Sequence, residues 1–392
     1  MMPLAIMPAC IAAVGAVQAC VAAASVGLFA KRLGLQPSAL PPVTVLKPLY
    51  GDEPLLEQAL ASFCEQDYPD YQIVFGVHSP LDPALRVAQH VAARFPARDI
   101  AIVVDSATHG ANGKVGNLIN MLPAAKHDVL LVSDSDVHVR PDYLRRLIAE
   151  LEQDSAGLVT TLYAGLPARR SMPALLGALQ ITETFLPGAL MARILGRQDC
   201  LGASMMLQRR TLERIGGFRA LLDHLADDYI LGVLVRRTGL SVHLADSVVA
   251  TTVPEASLRA LLRHELRWSR TIRTLVPYAH LASVAQYPIA FALLALAAAP
   301  SVWMVALSVG VWAARAAAAA AVARALRPKL GRLASRPALW LLPLRDVLSL
   351  AVVAWSFVGR QVDWRGKAML ADGIPAEIGH AAAPRVAEVI HS

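Results

Sequence analysis

Residues 129–136, with the sequence VLLVSDSD, join an apolar run to two carboxylates. The run has the length of a strand, and its uninterrupted apolar character predicts that this strand is buried. Asp134 and Asp136 follow directly, two positions apart. A hard divalent cation takes oxygen ligands, and it needs few of them from the protein when a bound diphosphate supplies the others. The stretch therefore predicts a metal–diphosphate site, and a solvated loop is the alternative for the carboxylate pair taken alone.

Apolar runs and helical patterns alternate upstream of this stretch. The predicted strands are 43–46, 73–77 and 100–104, and the predicted helices are 55–63, 85–95 and 115–122. This alternation predicts an α/β fold with a parallel sheet that helices cover on both faces. In such sheets ligands bind beyond the carboxyl ends of the strands, where Asp134 and Asp136 fall. A fold of the NAD-binding type is disfavoured, because no G-x-G-x-x-G follows the first strand.

The composition points to a membrane protein. The chain has 392 residues, of which 55% are hydrophobic and 17% charged, and its mean hydropathy is +0.46. Residues 4–30 carry no charge and end at Lys31-Arg32, and about 20 apolar residues suffice to cross a bilayer. A cleaved signal peptide is disfavoured, because no Lys or Arg precedes the apolar stretch. We therefore expect a transmembrane helix here.

A second apolar region is expected to return to the membrane, with candidate spans near 284–299, 302–323 and 338–358. The predicted loop between the last two is basic, with Arg324, Arg327, Lys329, Arg332 and Arg336. Basic loops face the cytoplasm, so this loop and Lys31-Arg32 predict one topology with the middle of the chain in the cytoplasm. Charges inside a span are costly unless they are paired. Arg315 lies in one span, and Arg345 and Asp346 in another either neutralise each other or mark an interfacial segment.

These patterns divide the chain into four parts. They are an N-terminal transmembrane helix at 1–32, a cytoplasmic domain at 33–280 with an interfacial helix near 256–275, membrane segments at 281–360 and a tail at 361–392. The alanine-rich composition suggests a bacterial chain, and hence the inner membrane. The net charge of +7 flanks apolar segments, so an anionic membrane leaflet is the expected partner and nucleic acid is not. The four cysteines show no C-x-x-C spacing, and we expect neither a disulfide nor a zinc site.

Two further groups of polar residues have suitable chemistry. Lys114 and Asn117 stand one helical turn apart. The lysine suits a contact with a diphosphate oxygen, and the amide suits a contact with a base or ribose. A solvated lysine at a helix start is the alternative. Asp227 and Asp228 open a predicted helix. Asp227 is expected to act as the N-cap. Asp228 is the candidate general base, because transfer to a hydroxyl requires a group that accepts its proton.

His264, Arg267 and Trp268 stand at helical spacing, so one helix places all three on one side. Arginine can hold a departing diphosphate, and tryptophan can wall a pocket with apolar area. The same helix carries a basic stripe formed by Arg259, Arg263, Arg270 and Arg273. For these outer arginines a merely interfacial helix is the favoured explanation.

Together these motifs resemble the lipid-directed glycosyltransferases with a GT-A domain, that is, family 2-like enzymes and their ceramide glucosyltransferase (family 21) relatives. The matching segments are 45–49 (VLKPL), 67–69 (DYP), 82–84 (DPA), 114–118 (KVGNL), 134–136 (DSD), 227–229 (DDY) and 267–268 (RW). The resemblance covers nearly the whole chain and is strongest between 43 and 273. It implies a GT-A fold with membrane helices at both ends, and among bacterial relatives it is closest to the hopanoid-biosynthesis-associated glycosyltransferases.

The resemblance also implies roles for particular residues. Asp82, Lys114, Asn117 and Asp134 would bind the nucleotide sugar, and Asp134 and Asp136 would bind Mg²⁺ or Mn²⁺. Asp228 would be the base, and His264, Arg267 and Trp268 would form the closing motif. The first position of that motif is His264 where the family has Gln or Arg. This departure argues against polymer synthesis, and it leaves open whether His264 or Arg263 takes the role.

The activity implied by the resemblance is an inverting transfer from a UDP-sugar to a lipid hydroxyl. The leading interpretation is transfer of N-acetylglucosamine from UDP-GlcNAc to a hopanoid polyol. The alternative within the class is transfer of glucose from UDP-glucose to ceramide. Two other classes remain, a non-catalytic membrane scaffold with a degenerate nucleotide-binding domain and a lipid transporter. The first is disfavoured because the motif carboxylates are all present, and the second because the predicted spans are few.

Overall fold

The computed structural model describes residues 2–359, 361–364 and 367–370. The strands within these ranges are β1 (Val43–Pro48), β2 (Tyr71–Val77), β3 (Asp99–Val104), β4 (Val129–Val132), β5 (Val137–His138), β6 (Ala156–Pro167), β7 (Met205–Gln208), β8 (Ser241–Val253), β9 (Gln361–Trp364) and β10 (Lys367–Leu370). Most of the tail predicted at 361–392 lies outside the described residues.

The α-helices begin with a long N-terminal helix and end with a group of apolar helices. They are α1 (Met2–Ala30), α2 (Leu56–Cys64), α3 (Pro83–Arg94), α4 (Gly113–Met121), α5 (Tyr143–Leu151), α6 (Met172–Gln180), α7 (Leu186–Ile194), α8 (Arg209–Arg214), α9 (Asp227–Arg237), α10 (Leu258–Leu275), α11 (Pro277–Ala282), α12 (Pro288–Ala298), α13 (Val302–Leu330) and α14 (Leu342–Ser356). A π-helical turn, Ile181–Phe185, joins α6 to α7.

Strands β1 to β8 form one sheet in the order β3-β2-β1-β4-β7-β6-β8-β5. The four strands predicted from the sequence are parallel to one another. Strand β7 runs antiparallel to both β4 and β6, so the expectation of a wholly parallel sheet is wrong and the sheet is mixed. The reason lies in the segment before β7: α6, the π turn and α7 pack against β6 and α1 and do not form a crossover that would return the chain in the parallel direction.

Helices cover both faces of this sheet, as predicted. Alternate strand residues point to opposite sides. Val45 and Ile73 join a core with α2, α3 and α5, whereas Leu46 and Val74 join a second core with α4, α8 and α9. The carboxyl ends of β1, β2 and β4 are therefore fixed by two independent cores. The expected α/β fold with apolar helices at both ends is confirmed.

Several helices are long and apolar enough to cross a membrane. Three of them agree with predicted spans: Leu4–Ala30, Val302–Leu333 and Leu339–Ser356. The span predicted near 284–299 corresponds to a pair of helices, Pro277–Gln286 and Pro288–Ala298, which are bent by 68°. Met172–Ile194 also qualifies and was not predicted; 67% of its apolar window is buried inside the protein. This segment lies entirely within 33–280, the range predicted for the cytoplasmic domain.

The predicted basic loop after residue 323 begins later than expected. Helix α13 continues to Leu330, so Arg324, Arg327 and Lys329 lie on the helix. Two contacts explain the extension. Lys329 Nζ forms an ion pair with Asp246 on β8, and Arg140 Nη1 donates to the Pro328 carbonyl at 2.5 Å. The end of α13 is thereby attached to the sheet domain.

The charges inside the apolar helices are paired between helices. Arg345 forms a bidentate ion pair with Glu265 on α10, at 2.8 and 2.7 Å. Asp346 accepts from the backbone N–H of Ile289 at 3.1 Å and lies 3.8 Å from Arg315 Nε. The suggestion that Arg345 and Asp346 neutralise each other is therefore wrong. Adjacent residues on a helix point in different directions, and each meets a partner on another helix.

Candidate active site

The turn after β4 holds the two motif carboxylates in place. The Thr251 hydroxyl donates to Asp136 Oδ2 at 2.5 Å, and the Thr252 N–H donates to the Asp136 carbonyl at 3.0 Å. The Ser133 N–H donates to the carbonyl of Leu46 on β1 at 3.1 Å. Burial, and then the charge of Asp134, raise the pKa of Asp136. Asp134 and Asp136 thus form a fixed, electrostatically strained pair at the strand end where they were predicted.

Lys114 connects this turn to α9. Its Nζ lies 2.8 Å from Asp134 Oδ1 and 3.1 Å from Asp227 Oδ2. Burial disfavours its charged form, yet Asp134 and Asp227 together raise the pKa of Lys114 well above its usual value. Asp227 is therefore an ion-pair partner. The expectation that it caps α9 is wrong, because the capping position belongs to Ala226.

Asp228 sits beside this ion-pair network. Burial, and then the neighbouring Asp227 charge, raise the pKa of Asp228 to about 7. Its Oδ1 accepts from the Tyr229 N–H at 2.8 Å. Gly202 leaves room for the other oxygen, since a Cβ there would come within 2.9 Å of Asp228 Oδ2. A carboxylate with these properties can hold or release a proton near neutral pH, which is what a general base requires.

A buried lysine that was not assigned a role also belongs to the site. Lys47, at the end of β1, is fully buried and donates to the Asp134 carbonyl at 2.5 Å. Its Nζ lies 3.9 Å from the centre of the Phe63 ring. Desolvation lowers the pKa of Lys47 to about 7, against the opposing charges of Asp136 and Asp134. The sequence signals for this residue are its place at the end of an apolar strand and in the matching segment 45–49.

The loop after β1 links two other acidic residues. Glu53 Oε2 accepts from the Ser135 hydroxyl at 2.5 Å. Asp82, predicted at the nucleotide, accepts from the N–H groups of Gly51 and Ala84, both at 2.9 Å, and so caps α3. These bonds hold the loop over the strand ends, next to the 134–136 turn.

Asn117 is placed differently from Lys114. It is buried between α4 and β2, and its Nδ2 donates to the Gly76 carbonyl at 2.8 Å. Its Oδ1 is buried and has no hydrogen-bond partner within the described part of the chain. The structure therefore brings Lys114 into the carboxylate cluster and sets Asn117 against the sheet backbone.

The closing motif on α10 reaches the cluster through aromatic rings. His264 Nδ1 lies 2.5 Å from Glu255 Oε1, and its ring packs edge-on against Trp268 at 4.7 Å. The ring centres of Trp268 and Phe185 are 6.3 Å apart, and those of Phe185 and Tyr163 are 4.9 Å apart. Burial, and then the charges of Asp228, Asp134 and Asp136, raise the pKa of Tyr163, so its hydroxyl lies within electrostatic reach of the carboxylates.

Arg267 and the outer arginines have different surroundings. Glu255 is buried; burial acts to raise its pKa, but His264 and Arg267 lower it overall, so Arg267 belongs to the His264–Glu255 group. Arg270 and Arg273 donate to the carbonyls of Val358 and Gly359 at 2.7 and 2.9 Å. These two arginines therefore bind the segment that follows α14.

The donor set fits a hard divalent cation shared with a diphosphate. Four carboxylates (Asp134, Asp136, Asp227 and Asp228) face two lysines (Lys47 and Lys114), so the cluster carries excess negative charge. Within the described residues no group of three or more His, Cys, Asp or Glu is arranged to hold a metal alone. A cation here would therefore need oxygens from its ligand.

Comparison with known proteins agrees with this chemistry. The model of the family described as glycosyl transferase family 21 matches residues 7–373. Ceramide glucosyltransferase 1 of Caenorhabditis elegans is 23% identical over 239 residues, which cover 61% of this chain and 51% of the relative. An N-acetylglucosaminyltransferase of Rhizobium meliloti is 26% identical over 246 residues, covering 59% and 56%. The chain thus spans about half the length of these curated relatives.

A further relative and a solved structure are also similar to this chain. Ceramide glucosyltransferase of Komagataella phaffii is 34% identical over 130 residues, which cover 32% of this chain and 26% of the relative. The solved mannosyltransferase PcManGT from Pyrobaculum calidifontis, in complex with GDP-Man and Mn²⁺, is 19% identical with a TM-score of 0.48, and the match covers 89% of this chain and 99% of that one.

Proposed function

The chain belongs to glycosyl transferase family 21, and from this premise we propose that it transfers a sugar from a UDP-sugar to a hydroxyl of a membrane lipid. One observation carries the proposal: Asp228, whose pKa is raised to about 7, lies beside Lys114 and the Asp134–Asp136 turn. A proton acceptor and a cluster whose donor set fits a cation shared with a diphosphate therefore lie at one edge of the sheet. These are the two parts that transfer from a sugar diphosphate requires.

The donor side of the site consists of the 134–136 turn and Lys114. Asp134 and Asp136 would hold Mg²⁺ or Mn²⁺, which when bound neutralises charge on the diphosphate leaving group. Lys114 would exchange its contact with Asp134 for a diphosphate oxygen. Lys47 would keep the turn in position through the Asp134 carbonyl. Arg267 would add a second positive charge from α10.

The acceptor side consists of Asp228 and the aromatic rings. Asp228 would take the proton of the acceptor hydroxyl as its oxygen attacks the anomeric carbon in a single displacement, which inverts that centre. Tyr163, Phe185 and Trp268 form apolar walls between the carboxylates and α10. Such walls exclude water, which would otherwise compete with the lipid for the sugar.

The acceptor would reach the site from the membrane. The helices Leu4–Ala30 and Val302–Leu333 meet the length and hydropathy of membrane spans, and α10 connects the closing motif to α14 through the Glu265–Arg345 pair. We place the catalytic cluster on the cytoplasmic side of a bacterial inner membrane, where UDP-sugars are made. The basic residues Lys31 and Arg32 at the end of α1 support this orientation.

Two substrate pairs are candidates. UDP-glucose with a ceramide-type lipid is favoured by relatives named ceramide glucosyltransferases. UDP-GlcNAc with a hopanoid polyol is the interpretation made from the sequence, and the relative named an N-acetylglucosaminyltransferase favours its sugar. The segment around Gly202 lies against Asp228, so its shape would select between the sugars.

The test offers membranes containing the protein radiolabelled UDP-glucose or UDP-GlcNAc, with ceramide or hopanoid polyol as acceptor. The proposal predicts label on one lipid, and loss of that label in Asp228→Asn with UDP binding retained. Asp223→Asn, an exposed carboxylate in the preceding loop, is the matched control and should stay active. Metal-dependent UDP binding without transfer to any lipid would instead support a non-catalytic scaffold.

A further inference from the structure

A second polar site lies among the apolar helices, away from the carboxylate cluster. It is a partly open cavity of about 30 Å³ lined by residues of α1, the π turn with α7, Gln286 and α13. Its polar lining residues are Gln18, Glu183, Thr184, Gln286 and Arg315. A cavity of this volume has room for a water molecule or for one small polar group.

Glu183 is the unusual member of this lining. It is only 4% exposed, and its Oε2 is buried without a hydrogen-bond partner in the described part of the chain. A buried polar atom without a partner costs about 1–3 kcal/mol, and more when it is charged. Arg315, another lining residue, donates from Nη2 to the Thr184 hydroxyl at 2.9 Å. No described residue donates a hydrogen bond to Oε2 of Glu183, so this oxygen can accept one from a ligand.

The lining also defines the class of ligand. The Arg315 guanidinium also lies 3.8 Å from Asp346 and so brings no unpaired positive charge to the cavity, and an anionic headgroup would gain no attraction there. The amides of Gln18 and Gln286 can both donate and accept. Ala22 and Val322 contribute an apolar wall. A hydroxyl on an alkyl chain matches all three features: it donates to Glu183, accepts from an amide and leaves its chain among the apolar helices.

The π turn connects this cavity to the catalytic cluster. Glu183 and Phe185 lie two residues apart on the turn, and Phe185 packs on Tyr163 beside the carboxylates. The Thr182 hydroxyl accepts from the Gly165 N–H on β6 at 2.9 Å, which fixes the turn to the sheet. π-helical turns within α-helices occur often at functional sites. The cavity and the cluster thus lie on two sides of one fixed turn.

We propose that the Glu183 cavity binds a hydroxyl of a membrane lipid of the acceptor class, on the membrane side of the catalytic cluster. The inference rests on the proposed function, since it assigns the acceptor's path through the helices. It adds a site that the catalytic motifs do not contain. The binding step is non-covalent, with the lipid hydroxyl donating to Glu183 Oε2.

Photolabelling in phosphatidylcholine nanodiscs tests the site without requiring transfer. The probe is a long-chain 1,2-diol with a diazirine on its alkyl chain. We expect label on α1, α7 and α13, and about tenfold weaker labelling in Glu183→Leu, because the acceptor of the lipid hydroxyl's hydrogen bond is lost. Glu183→Gln keeps an acceptor oxygen and should retain most of the labelling. Cys20→Leu, on the exposed side of α1, is the matched control.

Two outcomes would overturn the proposal. The first is equal labelling of Glu183→Leu and the control, with both variants melting close to the wild-type temperature. The second is equal competition by a dimethyl ether of the diol, which cannot donate; the cavity would then hold only water. The labelling needs no sugar donor, so intact labelling without transfer would refute the proposed function alone. Transfer without this labelling pattern would refute the site alone.

Discussion

Removing Arg345 should destabilise the protein in a pH-dependent way. In Arg345→Met the Glu265 carboxylate, whose side chain is 11% exposed, loses both bonds of its bidentate pair. Breaking a buried ion pair from one side costs about 3–5 kcal/mol, because the remaining charge is uncompensated. For a chain of this size the melting temperature should fall on the order of 10 °C at pH 8.

The pH dependence follows from Glu265. Burial already raises the pKa of Glu265 despite the opposing charge of Arg345, and removal of Arg345 raises it further. A carboxyl whose folded pKa exceeds its unfolded pKa stabilises the fold when protonated, and this stability is lost as the pH rises through the folded pKa. The penalty in Arg345→Met should therefore be small at pH 5 and full at pH 8.

The assay is thermal unfolding in detergent at both pH values, with three comparisons. Arg336→Met removes an exposed arginine and should change the melting temperature little. The double variant Glu265→Gln/Arg345→Met should recover much of the loss, because no charge remains unpaired. A similar melting temperature for Arg345→Met and Arg336→Met at pH 8 would refute the reasoning, and so would a penalty that does not change with pH.

Three further predictions concern the catalytic cluster. Transfer should increase as the pH rises through about 7, where Asp228 ionises. Asp227→Asn removes a charge that raises the pKa of Asp228, so the rise in a pH–kcat profile should move to lower pH. An unmoved profile would exclude Asp228 as the titrating base. Gly202→Ala places a Cβ 2.9 Å from Asp228 Oδ2 and should lower kcat about tenfold or more with UDP binding intact, whereas an unchanged kcat would show that the carboxylate can move freely. Lys114→Met should weaken UDP binding about tenfold or more, measured by calorimetry with Mn²⁺. The control is Lys126→Met, which removes an exposed surface ion pair. Equal UDP affinities of the two variants would exclude Lys114 from the diphosphate site.

The parallel half of the sheet could be predicted because its signals are local. Strand β4 begins and ends at the predicted residues, since its apolar run is bounded by polar residues on both sides. Strands β6 and β8 were not predicted. They are 12 and 13 residues long, and threonine, alanine and glycine interrupt their apolar pattern. Met172–Ile194 was missed because Glu183 and its polar neighbours reduce its hydropathy, whereas in the structure they are buried against other helices.

The family and the acidic motifs could also be recognised from the sequence, and the family is confirmed. The roles given to the site residues stay predictions. Strand ends meet at one edge of a sheet, so the approach of Asp134 to Lys114 follows from the predicted order of elements. The Glu265–Arg345 pair joins residues 80 positions apart. No local pattern indicates which buried charges meet over that separation, and pairing within the adjacent Arg345-Asp346 was therefore the wrong expectation.

The sheet domain is attached to the apolar helices at both of its ends. Helix α1 packs on α12 and α13, and Gly15 lets it approach so closely that a Cβ there would lie 2.2 Å from the Ala285 carbonyl oxygen. Lys329 on α13 forms a further attachment, an ion pair with Asp246 on β8 of the sheet. These contacts hold the sheet domain against the apolar helices, so under the proposed function it would meet its acceptor at the membrane. Under the proposed function, the quantity that sets the rate would be the mole fraction of acceptor in the bilayer, and inert lipid would slow transfer by surface dilution even when the total amount of acceptor is constant.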